Sequence, residues 1–174
     1  MQQTDVKAAH MSVSGLMENG RTRIKQFTFV GTAGQSGKFA IFDSLVAPVT
    51  SGTYAQSGTT TVTVTKTAHG LNTGDVVGIS YNSATGGSAT DGNYVVTRTG
   101  ADTFTVVDPN SNTISGSPPA CQYVTGVNRW VTTYETLTGA TDTTGVNVPG
   151  EGLLVVNGIY AYLLNVTFVT AHFG

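Results

Sequence analysis

From Thr59 to Thr65 the chain reads TTTVTVT. Val62 and Val64 fall on the same face of an extended strand, because side chains alternate across a strand and only a two-residue period keeps both valines together. The same period returns in RTRIKQFTFVG, KFAIFDSLV, DVVGISYN, NYVVTRTG, DTFTVVDP, ACQYVTG and VTFVTAHF. Gly-, Asn- and Asp-containing turns part these runs at intervals of about ten residues, the spacing of strands in a small sandwich or barrel. Such a chain can fold only by pairing strands, and the fold class expected is all-β.

Composition agrees. Only 10% of the 174 residues are charged, against roughly 25% in an ordinary soluble protein. The difference is made up by 30 threonines and 22 glycines, residues of strands and turns respectively. The net charge of −2 excludes a generally basic nucleic-acid surface. Arg21, Arg23 and Lys25 stand on alternate positions and read as one solvated strand face. A surface this poor in charge suits permanent contact with other subunits, since charge is depleted from interface cores.

Along the chain, Asp5 to Ser14 reads as a first strand or arm and Glu18-Asn19-Gly20 as a tight turn. In RTRIKQFTFVG, Ile24 is out of phase with Phe27 and Phe29, which calls for a bulge near Gln26. GTAGQSG is a loop, and in KFAIFDSLV Phe39, Ile41 and Asp43 share a face. Val49 to Thr61 is Ser/Thr/Gly-rich and reads as a linker. Trp130, Val131, Tyr134 and Leu137 are expected in or beside an outer core. TGATDTTGVN is expected to be a loop, and VPGEGLLVVNGIYAYLLNVTFVTAHFG to give two or three strands broken at Asn157-Gly158 and Leu164-Asn165, the last ending tied into a sheet. The flanks resemble each other more than the middle. The expected organisation is therefore an outer β-sandwich, jelly-roll-like, from residues 1–56 plus 127–174, interrupted by a small inserted β-barrel module at 57–126.

Motifs for chemistry are absent. GTAGQSGKF lacks the first Gly and the closing Ser/Thr of a phosphate loop, and Lys38 leads into a strand rather than a helix. His10, His69 and His172 are far apart, with no HxH, HxxxH or CxxC spacing, so no metal site is expected. Asp91-Gly92, Asp102 and Asp108-Pro109 look like turn aspartates; calcium would need about six or more oxygens. Gln35-Ser36-Gly37 lacks the helix of a nucleophile elbow, and the ten acids are scattered with no paired carboxylates of a glycosidase type. Cys121 has no histidine near it in sequence and reads as a buried structural thiol. No enzyme, cofactor or catalytic residue is expected. The N-terminus lacks the apolar core of a signal peptide, and no run nears the roughly 18 apolar residues of a membrane span. The chain is expected to be made in a cytoplasm, without membrane or nucleic-acid partners.

One stretch is familiar. TVTVTKTAHGLNTGDVVGIS followed by DGNYVVTRTGADTFTV, with His69-Gly70-Leu71, Thr73-Gly74-Asp75, Asp91-Gly92-Asn93-Tyr94 and Thr103-Phe104-Thr105-Val106, resembles the module known as the first catalytic cysteine half-domain-like module of ubiquitin-activating enzymes. That module recurs in bacteriophage structural and tail proteins. The resemblance brings no ubiquitin chemistry, as Cys121 lies in no matching context. It implies a corner at His69-Gly70, with Leu71 plugging the module's core. More loosely, NGRTRIKQFTFVGTAGQSGKFAIFD and the C-terminal strands resemble small β-sandwich virion proteins of tailed phages. Together they imply a virion structural protein, in first place a capsid cement or decoration protein on the capsid outer surface. Its partners would be the major capsid protein and copies of itself, as a homotrimer or other symmetric oligomer, with the inserted module projecting outward. A tail, adaptor or fibre-hub component touching tail proteins is the alternative, or a module binding a host-surface glycan. Exposed rings among Tyr81, Tyr94 and Tyr123 would favour the last.

Overall fold

The computed structural model describes residues 7–114, 117–136, 141 and 143–174, and every described element is a strand, turn or loop. The strands are β1 (Lys7–Met11), β2 (Gly15–Asn19), β3 (Thr22–Gly31), β4 (Lys38–Asp43), β5 (Val49–Thr65), β6 (Val76–Tyr81), β7 (Gly92–Val95), β8 (Thr97–Arg98), β9 (Thr103–Thr113), β10 (Ala120–Thr125), β11 (Trp130–Glu135), β12 (Thr144–Asn147), β13 (Leu153–Val155), β14 (Gly158–Leu164) and β15 (Val166–Phe173). They form two compact units, residues 1–47 with 131–174 and residues 48–130. The insertion is thus wider than the 57–126 suggested by composition.

The first unit is a sandwich. One sheet runs β1-β15-β3-β12 with β13 also on β3, and the other β11-β4-β14-β2. Consecutive strands cross between the sheets: β1 to β2, β3 to β4, β11 to β12 and β14 to β15. Ile24, Phe27 and Phe29 from one sheet and Phe39, Ile41 and Ile159 from the other meet in a single core, where Phe27, Phe29, Phe39 and Tyr134 form an aromatic cluster with ring centroids 4.9 to 6.1 Å apart. The phase conflict in β3 is resolved as its sequence demands. The register against β15 passes from His172↔Gln26 to Phe173↔Ile24, so Lys25 is an extra, bulged residue. That one-residue slip turns both Ile24 and Phe27 inward.

The second unit is a barrel. Its sheet runs β7-β6-β10-β5-β9-β8, and its two end strands are halves of one segment, joined at the buried Val96. The Val96 N–H donates to Asp75 O at 2.8 Å and its carbonyl accepts from Gly74 N at 2.9 Å. The sheet therefore nearly closes on itself, which removes the exposed edges an open sheet presents. Tyr54, Val62, Val64, Leu71, Ile79, Tyr81, Phe104, Cys121 and Tyr123 fill the interior.

Three expectations are corrected. Val49 to Thr61 is no linker but most of β5, paired to β10 and β9; Val49 packs against the core, and the buried residues of the stretch are Gly52, Tyr54 and Gln56, of which only one has the apolar side chain that advertises a strand. Asp108-Pro109 is no turn but lies within β9. There the register jumps from Thr61↔Val107 to Thr59↔Asn112, a wide bulge that tolerates a proline without an N–H to give. TGATDTTGVN is not all loop: its last four residues are β12, paired to β3, while 138–140 and 142 lie outside the described residues. Val131 and Tyr134 pack on the sandwich core as expected. Trp130 falls instead in the barrel unit, its backbone held by both ends of the Asn93 amide, and Leu137 lies outside the described residues.

Candidate functional site

The histidine and the aspartates that sequence inspection singles out in the barrel all bind backbone. His69 sits at the corner after β5. Its Nδ1 accepts the Leu71 N–H at 3.0 Å, so Nε2 carries the ring proton and points at the carbonyls of Gly100 and Thr103, 3.1 and 3.2 Å away. The ring packs edge-on to Phe104 at 5.2 Å. Gly70 takes φ +70° and turns the chain, so that Leu71 enters the core, 4% exposed. The histidine is a brace between the 66–75 corner and the 100–103 turn.

The aspartates behave alike. Asp91 accepts from Tyr81 N at 2.7 Å and Ser80 Oγ at 2.9 Å. Asp102 accepts from Ala68 N at 2.7 Å and Asp75 from Asn72 N at 2.8 Å. Asp108, 1% exposed, accepts from the Thr90 amide, from Thr90 Oγ1 at 2.9 Å and from Asn110 N at 2.7 Å. Buried carboxylates need such partners. Among the described residues no three His, Cys, Asp or Glu side chains gather as metal ligands.

Cys121 is buried, and loss of solvation pushes its thiol up to about 12. Burial likewise raises Tyr54, Tyr81 and Tyr94, and takes Tyr123 up to about 12 with the Cys121 thiol adding to it. Tyr81 and Tyr123 are core residues, and Tyr94 is half-buried with its hydroxyl donating to Thr90 O. These rings are positioned as packing rather than as a platform for a sugar.

The sandwich holds a buried structural acceptor of its own. Asp43, 7% exposed, accepts from the amides of Val156, Asn157 and Gly158 at 3.1, 2.6 and 3.2 Å. It thereby pins the turn between β13 and β14 to the end of β4. Beside that turn the aliphatic side chains of Leu45, Val46 and Val156 are 50%, 67% and 53% exposed. On the outer face of β3, Arg23 lies opposite Leu154, itself 41% exposed. Arg21, Thr22, Arg23, Leu154 and Gly174 line an open recess of about 280 Å³. The turn at 149–152 sits close against this corner: a Cβ on Gly152, at φ +82°, would lie 2.5 Å from Ile24 O. The alternation of Arg21, Arg23 and Lys25 was visible in the sequence. Their meeting with Leu154, about 130 residues away by number, depends on β13 pairing and was not.

No protein-family model matches the chain, and no curated protein matches it. Among solved structures, it is similar to one described as a phage phi92 endosialidase, at 20% identity and a TM-score of 0.32, over 82% of this chain and 20% of that one. The chain spans about a fifth of that protein's length, and a likeness this loose carries no argument about fold or activity.

Proposed function

We propose that this protein is a structural component of a tailed-phage virion, and in first place a capsid cement or decoration protein that stabilises the shell by contacts with the major capsid protein and with its own copies. The observation that carries the reading is the contrast in how polar groups are used. In the barrel, His69, Asp75, Asp91, Asp102 and Asp108 all bind their own unit's backbone, a design for rigidity rather than turnover. The sandwich keeps outer strands at β1, β2, β11, β12 and β13; exposed aliphatic side chains occur in both units, at Leu45, Val46 and Val156 in the sandwich and at Val95, Val107 and Val127 in the barrel. Open edges and apolar surface are what a subunit needs to bind neighbours. The resemblance of the segments 61–80 and 91–106 to a module of phage structural proteins supports the same reading.

Quantitative mass spectrometry of purified particles tests it. A copy number equal to that of the major capsid protein, or a simple fraction of it, is expected of a cement protein. A few copies per particle would move the chain to the tail or a collar. Absence from particles would overturn the virion reading and reopen host-surface binding.

A further inference from the structure

Arg21, Arg23 and Lys25 form a corner of concentrated positive charge. Lys25 Nζ and Arg23 Nη1 both donate to one acceptor, the Glu151 carbonyl, at 2.8 and 3.4 Å. Two cations thus converge on a single neutral oxygen. Among the described residues no carboxylate pairs with any of the three; the ion pairs of the sandwich join Lys7 to Glu18 and Lys38 to Glu135 elsewhere. Like charges held together without a counter-ion repel each other, and a corner built this way is relieved when an anion arrives. The recess between Arg21 and Arg23 has room for one small acidic group. Leu154 in its lining gives it an aliphatic side.

We infer that this corner is the docking site for an acidic side chain, flanked by apolar residues, on a neighbouring virion protein. The inference rests on the virion reading above and names the chemistry of the contact. Guanidinium groups grip carboxylates in a bidentate fork, and Leu154 meets the aliphatic carbons beside it. A nucleic-acid partner fits less well, because three cations on a chain of net charge −2 give little phosphate affinity, and an aliphatic wall gives it no contact. The backbone holds the site ready: the 149–152 turn is fixed against β3 by Val148 N donating to Lys25 O at 2.9 Å and by the close approach of Gly152.

The test is competition for particle assembly. Tagged wild-type chain, R21E/R23E and, as a barrel control, R98E are expressed during infection, and tagged copies per particle are counted by mass spectrometry. Arg21 is exposed and Arg23 half-buried, so the fold should survive, which circular dichroism melting checks; R21Q/R23Q serves if the reversal does not fold. Wild type and R98E are expected to enter particles equally, and R21E/R23E at least tenfold less. Wild-type chain bound to particles is expected to be released by salt as the screening length falls from about 8 Å at physiological ionic strength to about 3 Å at 1 M, and to resist nuclease. Equal incorporation of a folded double variant, or release by nuclease, would overturn the inference while leaving the virion reading intact. Wild-type chain that never enters particles would overturn both.

Discussion

The barrel and the sandwich are built from the same short, Thr-rich strands, yet they end their sheets differently. In the barrel the two terminal strands are one continuous segment, Gly92 to Arg98, pinned at Val96. Its aspartates and its histidine all bind backbone of their own unit. In the sandwich five strands lie at the margins of two open sheets, and aliphatic and basic side chains gather at one corner. Closure makes a unit self-sufficient, and open margins make it sociable. On the reading proposed above, the open margins of the sandwich are where contacts with other proteins are expected.

The sharpest way to break this contrast is to open the barrel. V96P removes the N–H donated to Asp75 O and disturbs a fully buried position. Leaving the Asp75 carbonyl unpaired should cost about 1–3 kcal/mol and, by freeing strand edges, promote association. Size-exclusion chromatography and urea unfolding would show both; a monomeric variant of unchanged stability would refute the closure. D43A acts on the other unit. It strips three amides of a buried acceptor and should cost the sandwich about 3 kcal/mol, with the barrel's tyrosine signals unfolding where they did before. A single joint shift would argue that the units are not energetically separable. G152A should cost about 2 kcal/mol, from a strained φ and a Cβ that meets the Ile24 carbonyl; unfolding in urea measures it, and an unchanged midpoint would show that the turn can shift.

The fourth prediction concerns alkali. The Cys121 thiol has an ordinary value of 9.0 and is raised to about 12 by burial. The unfolded thiol therefore ionises first. Its contribution to barrel stability is complete below pH 9 and is lost as pH rises toward 12. Stability of the barrel should fall steadily over that window, and a thiol reagent at pH 8 should label Cys121 only on unfolding. Rapid labelling of the folded protein would contradict the burial.

Much of this architecture is legible in the residues, and the failures have physical causes. The Lys25 bulge could be read because Ile24 and Phe27 are both bulky and must both be buried. The strand breaks at Asn157-Gly158 and Leu164-Asn165 could be read because Asn and Gly are turn residues; Asn165 indeed takes φ +52°. The first half of β5 could not, since a glycine and a glutamine fill two of its three buried positions. The Gln56 amide donates to Thr59 O on its own strand and to Asn110 O, the second partner brought in by a strand 54 residues later. Asp108 was misplaced for the same reason: Asp-Pro signals a turn locally, and only the distant Thr90 reveals a buried acceptor. The basic corner was half legible, its charges evident and its apolar side supplied by a remote strand.

Amide hydrogen exchange on the protein free and bound in particles tests the division of labour most directly. Protection gained on assembly should fall in the sandwich, at β13, the 149–152 turn and the start of β3, while β5 to β10 exchange as in the free protein. Protection gained chiefly in the barrel, with the Arg21–Arg23 corner unchanged, would contradict the account.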